Sequence, residues 1–473
     1  MQPVTASIAA NRFGLGARPG DLAAIGGESR EWLRTQLRGA PPVLESAGLR
    51  SSQQILAEAL ELRREIQKER KADADRGARP AAAGATPDGA QQKLPQFLRP
   101  IYTAEVSARF AQALASERPF VERLTHFWAN HFAVSVDKQF LAGLAGSFER
   151  EAIRPHVLGN FSELLLAVET HPAMLLYLDN HLSVGPHSLA AQRLERRQSE
   201  RRIGINENLA REILELHTLG VGGGYTQQDV TTFAEVITGW SIGGEGGRFA
   251  AGEPGRFVFR PETHEPGAKV VLGRRYPDSG FDQGVAVLRD LARQRATARF
   301  IATKLARHFI ADEPPAGAVE RLADAYQRSG GDLSTVYRAL IDSGEAWGPP
   351  LAKYKTPSDY VISTYRGLSL PADAGRAPLA PFEVLGQRTW QPGSPAGWPD
   401  RSADWDGAAA LLKRIQWAEA VGARLGSRSD APQLAPELLG ATLSETTRVA
   451  VSHAASAAQA TTLLLAAPEF MRR

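Results

Sequence analysis

The sequence predicts a mainly α fold: a large multi-helix domain, one small β-hairpin, and an irregular Pro/Trp-rich C-terminal segment. Three observations carry this. Apolar residues recur at helical spacing along most of the 473 residues. Strand character is confined to 256–276, where Phe257, Val258 and Phe259, then Val270, Val271 and Leu272, flank Pro266 and Gly267. Residues 378–406 are crowded with Pro, Trp and Gly, which support neither regular period.

Composition narrows the function classes. The chain is 43% hydrophobic and 23% charged, ordinary for a soluble globular protein, and long enough to bury a large core without covalent staples. It contains no cysteine, which excludes disulfides, iron–sulfur clusters, thiolate metal sites and cysteine nucleophiles. Any metal would need histidine and carboxylate ligands. A net charge of +3 is too small to suggest a nucleic-acid partner. No apolar run is long enough for a transmembrane segment. The N-terminus lacks the basic stretch and apolar core of a secretory signal, so a cytoplasmic location is the default expectation.

Taken in order, residues 5–38 read as two short helices. Ile8, Ala9, Phe13 and Leu15 precede Gly16 and the Arg18-Pro19-Gly20 break, and Trp32, Leu33 and Leu37 follow. Residues 1–71 form an expected N-terminal helical cap. Residues 72–92, rich in Ala, Pro and Gly, form an expected disordered insertion, unable to bury enough apolar surface to fold. Residues 93–473 are the expected helical core domain. Its helices fall near 102–123, 158–170, 297–310, 318–328, 333–343, 407–424 and 455–466. The basic run Arg193, Arg196, Arg197, Arg201 and Arg202 is interleaved with Glu195 and Glu200, and reads as a solvated helix.

The segment Asn206 to Trp240 is the most informative. Asn206 is a good N-cap and Gly220 a good terminator. At helical spacing Glu207, Asn208, Arg211, Glu212 and Glu215 share one face, opposite Leu209, Ile213 and Leu216. Two readings stand side by side. One is a solvated face with Glu207–Arg211 and Arg211–Glu215 pairs. The other is a pocket wall in which Glu212 and Glu215 act as acid and base or hold a cation. The Glu-x-x-His pattern of di-iron bundles and the His-Glu-x-x-His zinc motif are both absent. His217, on the apolar side, reads as a core residue bonded to a backbone carbonyl. Gly222 to Gly224 read as a turn, Thr226 with Asp229 as a capping box, and Phe233 to Trp240 as a further helix.

Asn206 to Val230, ending in Thr238-Gly239-Trp240, closely resembles the bacterial family called domain of unknown function 1800. Asn11 to Gly16, Phe127 to Phe132, His171 to Met174, Tyr177 to Asn180, His264 with Lys269, Phe300-Ile301 with Lys304-Leu305, and Leu385 to Gln387 with Gly397 to Pro399 are similar too. The resemblance implies no reaction. It implies that export to the periplasm or beyond is an alternative to the cytoplasm, and that a sulfatase-like companion protein is a candidate partner.

Further candidates are Asn130-His131 beside Phe127-Trp128, Asp179-Asn180 at a helix end, and His264 in the hairpin loop. Lys355-Thr356-Pro357 reads as a helix entry. The expected catalytic residues are Glu212, Glu215, Arg211, His131 and His264. The expected binding residues are Glu207, Asn208, His217, Asn130, Asp179, Asn180 and Trp240. Cofactor and metal are left unassigned. The function expected first is a pocket-bearing helical enzyme with a Glu/Asn/Arg-lined site plus histidine, such as a metal-assisted hydrolase. One alternative is a non-catalytic partner of the sulfatase-like companion, with exposed tryptophans of 390–405 as anchors. The other is a haem peroxidase-like oxidoreductase: Asn206-Glu207-Asn208 followed by Leu216-His217-Thr218-Leu219 is faintly similar to a helix of animal-type haem peroxidases and Trp128-x-x-His131 to their distal segment, while a convincing proximal histidine is missing and His308 is the conceivable one.

Overall fold

A computed structural model of the chain describes residues 3–44, 48–75, 89–196, 204–244, 252–348, 351–372 and 379–473. Helices dominate, and the strands among the described residues form two antiparallel two-stranded sheets. No helix among the described residues is long and apolar enough to cross a membrane.

One continuous buried cluster runs from Ala6 to Met471. At its centre Phe13, Phe120 and Phe309 pack ring against ring at 5.5–5.7 Å. The helix Pro119–His131 enters this cluster because Phe120, Val121, Leu124, Phe127 and Trp128 fall on one side of it. Proline opens its first turn, where a missing N–H costs nothing. Trp128 is fully buried, and its Nε1 donates to Tyr337 Oη at 2.6 Å. Tyr337 in turn donates to the Val157 carbonyl at 2.9 Å. The polar atoms of these two buried rings are thereby paired. The helix Arg295–Phe309 buries Ala298, Ile301, Ala302, Leu305 and Phe309, leaving Lys304, Arg307 and His308 on another side.

Several expectations need correcting. The N-terminal stretch holds more than two helices: Val4–Ile8 runs into a π turn at Ala9–Phe13, and Asp21–Ile25 and Ser29–Gln36 follow. The expected insertion is helical at both ends, since Ser52–Asp75 includes 72–75 and Gly89–Ala115 includes 89–92. Residues 76–88 lie outside the described residues. Of the basic run, Arg193 and Arg196 lie on the helix Leu189–Arg196, while Arg197, Arg201 and Arg202 are outside the described residues.

The single hairpin is also corrected. Strand β1 (Trp240–Ile242) pairs with β2 (Phe257–Phe259), and β3 (Lys269–Val271) pairs with β4 (Arg274–Tyr276). The chain reverses at Leu272 and Gly273, with φ of +50° and +73°, a left-handed pair suited to a two-residue hairpin. Leucine is costly there, and the Leu272 N–H is anchored on Asp229 Oδ1 at 2.7 Å. Trp240 sits in β1 and not on a helix, because the helix Gln227–Val236 has already ended. A side-chain carbon at Gly284 would lie 2.4 Å from the Trp240 ring, so only glycine lets the helix Phe281–Arg293 pack there.

Candidate functional site

The helix of the Asn206–Gly220 segment starts at Asn208 with Glu207, not Asn206, in the cap position, while Asn206 Oδ1 accepts the Asn208 N–H at 2.9 Å from one residue further out. After Asn208–Glu212 the helix widens into a π turn over Ile213–Thr218. Thr218 Oγ1 donates to the Ile213 carbonyl at 2.6 Å, five residues back, which supports the wider turn. The extra residue per turn shifts the faces: Ile213, Leu214, His217 and Thr218 are buried, while Leu216 is only half-buried.

The acidic face is partly solvated. Glu207 and Arg211 pair at 3.0 Å with side chains 33% and 39% exposed. Hydrogen bonds from Thr231 and Gln227, with Arg211 nearby, hold the Glu207 carboxyl below its ordinary range. Asn208 is exposed, and half-buried Glu215 accepts from Tyr225 Oη at 3.1 Å. Burial raises the Glu212 carboxyl, with smaller opposing effects from nearby charges.

His217 is fully buried, but its Nδ1 donates to the equally buried Glu169 at 2.8 Å, not to a backbone carbonyl. The His217 carbonyl accepts from His131 Nε2 at 3.1 Å. His264 donates from Nδ1 to the Thr238 carbonyl at 2.9 Å and packs on Phe259. Asn180 donates to both the Ile237 and Trp240 carbonyls at 3.1 Å, fixing the entry to β1. Asp179, in a left-handed conformation, pairs with Lys138 at 2.6 Å.

A cavity of about 330 Å³ lies elsewhere, and of the expected residues it is lined by Asn130 and His131 alone. The helix Pro119–His131 supplies one wall, and Lys304, Arg307 and His308 a second. The entry to the helix Pro357–Gly367 and the segment 387–404 complete it. Thr356 caps that last helix, as the sequence suggests.

The tryptophans expected to be exposed are not: Trp390 and Trp405 are 9% and 8% exposed, and Trp398 is half-buried. They pack because the irregular segment is folded against the helices. Asn130 holds it with a paired amide contact, donating to the Trp398 carbonyl at 2.8 Å and accepting its N–H at 2.7 Å. Gly397 (φ +82°) permits that approach, since a side-chain carbon there would lie 2.3 Å from the Asn130 carbonyl oxygen.

Inside the cavity, His308 Nδ1 bonds to Asp400 Oδ2 at 2.9 Å, while its Nε2 is buried without a partner. Burial pushes His308 down to about 4 against the pull of Asp400, so the imidazole is neutral at pH 7. Burial opposes the Asp400 charge, yet His308, Lys353 and Arg473 hold that carboxyl well below its usual range. An ionised Asp400 only accepts, so the proton sits on His308 Nδ1 and the lone pair on Nε2. His131 is likewise kept neutral by burial, with Nδ1 unpartnered. Burial brings the Lys304 ammonium down to about 8. Behind these groups Asp359 bridges Arg123 at 3.1 Å and Arg473 at 3.2 Å.

Sequence reasoning singled out His308 only as a haem candidate and did not single out Asp400 or Asp359. The i, i+4 spacing of Lys304 and His308 on an otherwise apolar helix was the available signal. No local pattern marks Asp400. Among the described residues no three His, Asp or Glu side chains gather closely enough to hold a metal ion.

Comparison with curated proteins and with solved structures gives no match. The family model described as "Protein of unknown function (DUF1800)" matches residues 8–472, nearly the whole chain, and the chain belongs to that family.

Proposed function

We propose that the protein is a hydrolytic enzyme whose active site is the cavity at His308, with His308 as general base and Asp400 as its orienting carboxylate. One observation carries this reading: a neutral imidazole lining a cavity, bonded to a carboxylate through Nδ1 and with Nε2 unpartnered. An imidazole oriented in this way offers the Nε2 lone pair as a base for a proton from water, a weaker base than an unshifted histidine because its conjugate acid lies at about 4. As the water oxygen bonds to the substrate's electrophilic centre, its proton passes to Nε2. Asp400 steadies the imidazolium, which returns the proton to the departing oxygen as its bond breaks.

The test is a panel of nitrophenyl esters of acetate, phosphate and sulfate offered to purified protein. His308→Gln should lower any hydrolysis about 10²- to 10⁴-fold while leaving the fold intact by circular dichroism. Undiminished turnover in that variant would discard the reading.

A docking role beside a sulfatase-like companion is the second reading. Leu411, Leu412 and Ile415, exposed by 39%, 55% and 40% on the helix Ala408–Leu425, supply an apolar strip for it. The tryptophans of 390–405 do not, being packed inward.

A further inference from the structure

From the charges lining the cavity we infer that Lys304 and Arg307 form an anion-holding subsite, so that the substrate carries a carboxylate or phosphate group beside the bond attacked at His308. The inference rests on the hydrolytic reading for its catalytic meaning, but its binding claim stands on separate residues.

Most cations lining the cavity already have partners. Arg123 is neutralised by Asp359, and Arg109 by Glu149 at 2.7 Å. Arg388 pairs with Glu383, and Arg401 with Glu313 at 3.1 Å. Lys304 and Arg307 differ. Among the described residues Lys304 has no hydrogen bond or ion pair; its ammonium stands 5.6 Å from the centre of the Phe300 ring. Arg307 gives Nε to the Asp312 backbone carbonyl at 3.1 Å and meets no carboxylate within ion-pair distance. Asp400, whose charge acts on Lys304, is already committed to His308.

Two half-buried cations three residues apart on one helix, both lining the same cavity, repel each other. Burial depresses the Lys304 ammonium, and the nearby Arg307 cation adds to that effect. An anionic ligand group would relieve it by taking charge-assisted hydrogen bonds from both. His308 lies one helical turn beyond Lys304, which places the reacting bond next to the held anion.

The test is isothermal titration of the full chain with inorganic phosphate and with acetate, at constant ionic strength in chloride. Saturable binding of either is expected. Tighter phosphate binding assigns a phosphate-bearing substrate, and tighter acetate binding a carboxylate-bearing one. Lys304→Met should weaken the bound anion about tenfold or more, while Lys304→Arg should retain it. Should Lys304→Met fail to fold, Arg307→Gln carries the same measurement. His308→Gln should bind the anion as the parent chain does. Absence of saturable binding, or unchanged affinity in Lys304→Met, would overturn the subsite even if His308→Gln abolishes hydrolysis. Conversely, loss of anion affinity in Lys304→Met together with undiminished turnover in His308→Gln would uphold the subsite and remove the base.

Discussion

The 206–220 segment and the walls of the cavity make opposite use of charge. Around 206–220 the carboxylates are near one another in sequence, share a helix face and stay in contact with water. Glu207 is satisfied by Arg211, Gln227 and Thr231 on that surface. Around the cavity the ionisable groups come from segments far apart in the chain, and the innermost of them are withdrawn from water while Arg388, Arg401 and Asp404 at the rim stay exposed. Arg123, Asp359 and Arg473 are 2%, 11% and 0% exposed. A solvated pair contributes little because water screens it, whereas a buried group must be answered by a specific partner or remain costly. An unanswered group, such as His308 Nε2, is then informative in a way that a surface carboxylate is not.

This contrast can be broken by experiment. The largest effect is expected at Asp359. Asp359→Asn leaves Arg123 buried without its carboxylate and Arg473 with Asp400 alone at 3.7 Å, and should cost about 3–5 kcal/mol in urea unfolding. A cost below 1 kcal/mol would mean that the cluster is hydrated.

An intermediate effect is expected from acid. His308 is lowered from 6.5 to about 4 in the folded chain. The unfolded chain therefore takes up the proton first. Stability is intact above about pH 6.5 and declines as the pH falls toward 4, with this histidine adding about 1.4 kcal/mol per pH unit at most. His308→Gln should flatten that share of the slope, leaving the parts due to His126 and His131, which are lowered as well.

The smallest effect is expected on the surface. Glu207→Ala and Arg211→Ala should each change stability by about 0.5 kcal/mol or less, diminishing further in high salt. A loss several times larger would show that this face is structurally committed after all.

The fold class was legible because helical periodicity is a local property. Phe120, Val121, Leu124, Phe127 and Trp128 announce their buried side without knowledge of what covers it. The strand pairing was not, because the reversal at Leu272 depends on Asp229, more than forty residues away, holding an unfavourable conformation. For the site, periodicity identified the 207–215 face but not its surroundings. The π turn then rotated Leu216 partly outward. Asn130 and His131 stood out through their aromatic neighbours. Asp400 could not, since its significance comes only from the Asn130 grip that folds an irregular segment back over His308.

The cavity walls span residues 15 to 404, and Arg473 backs them by contacting Asp359 and Asp400. Pairings separated so widely in sequence are entropically slow to assemble. A fragment missing any of these segments would lack part of the enclosure. Occupancy would accordingly be linked to completion of the whole chain: a molecule bound there favours the finished protein by mass action over every partly folded form.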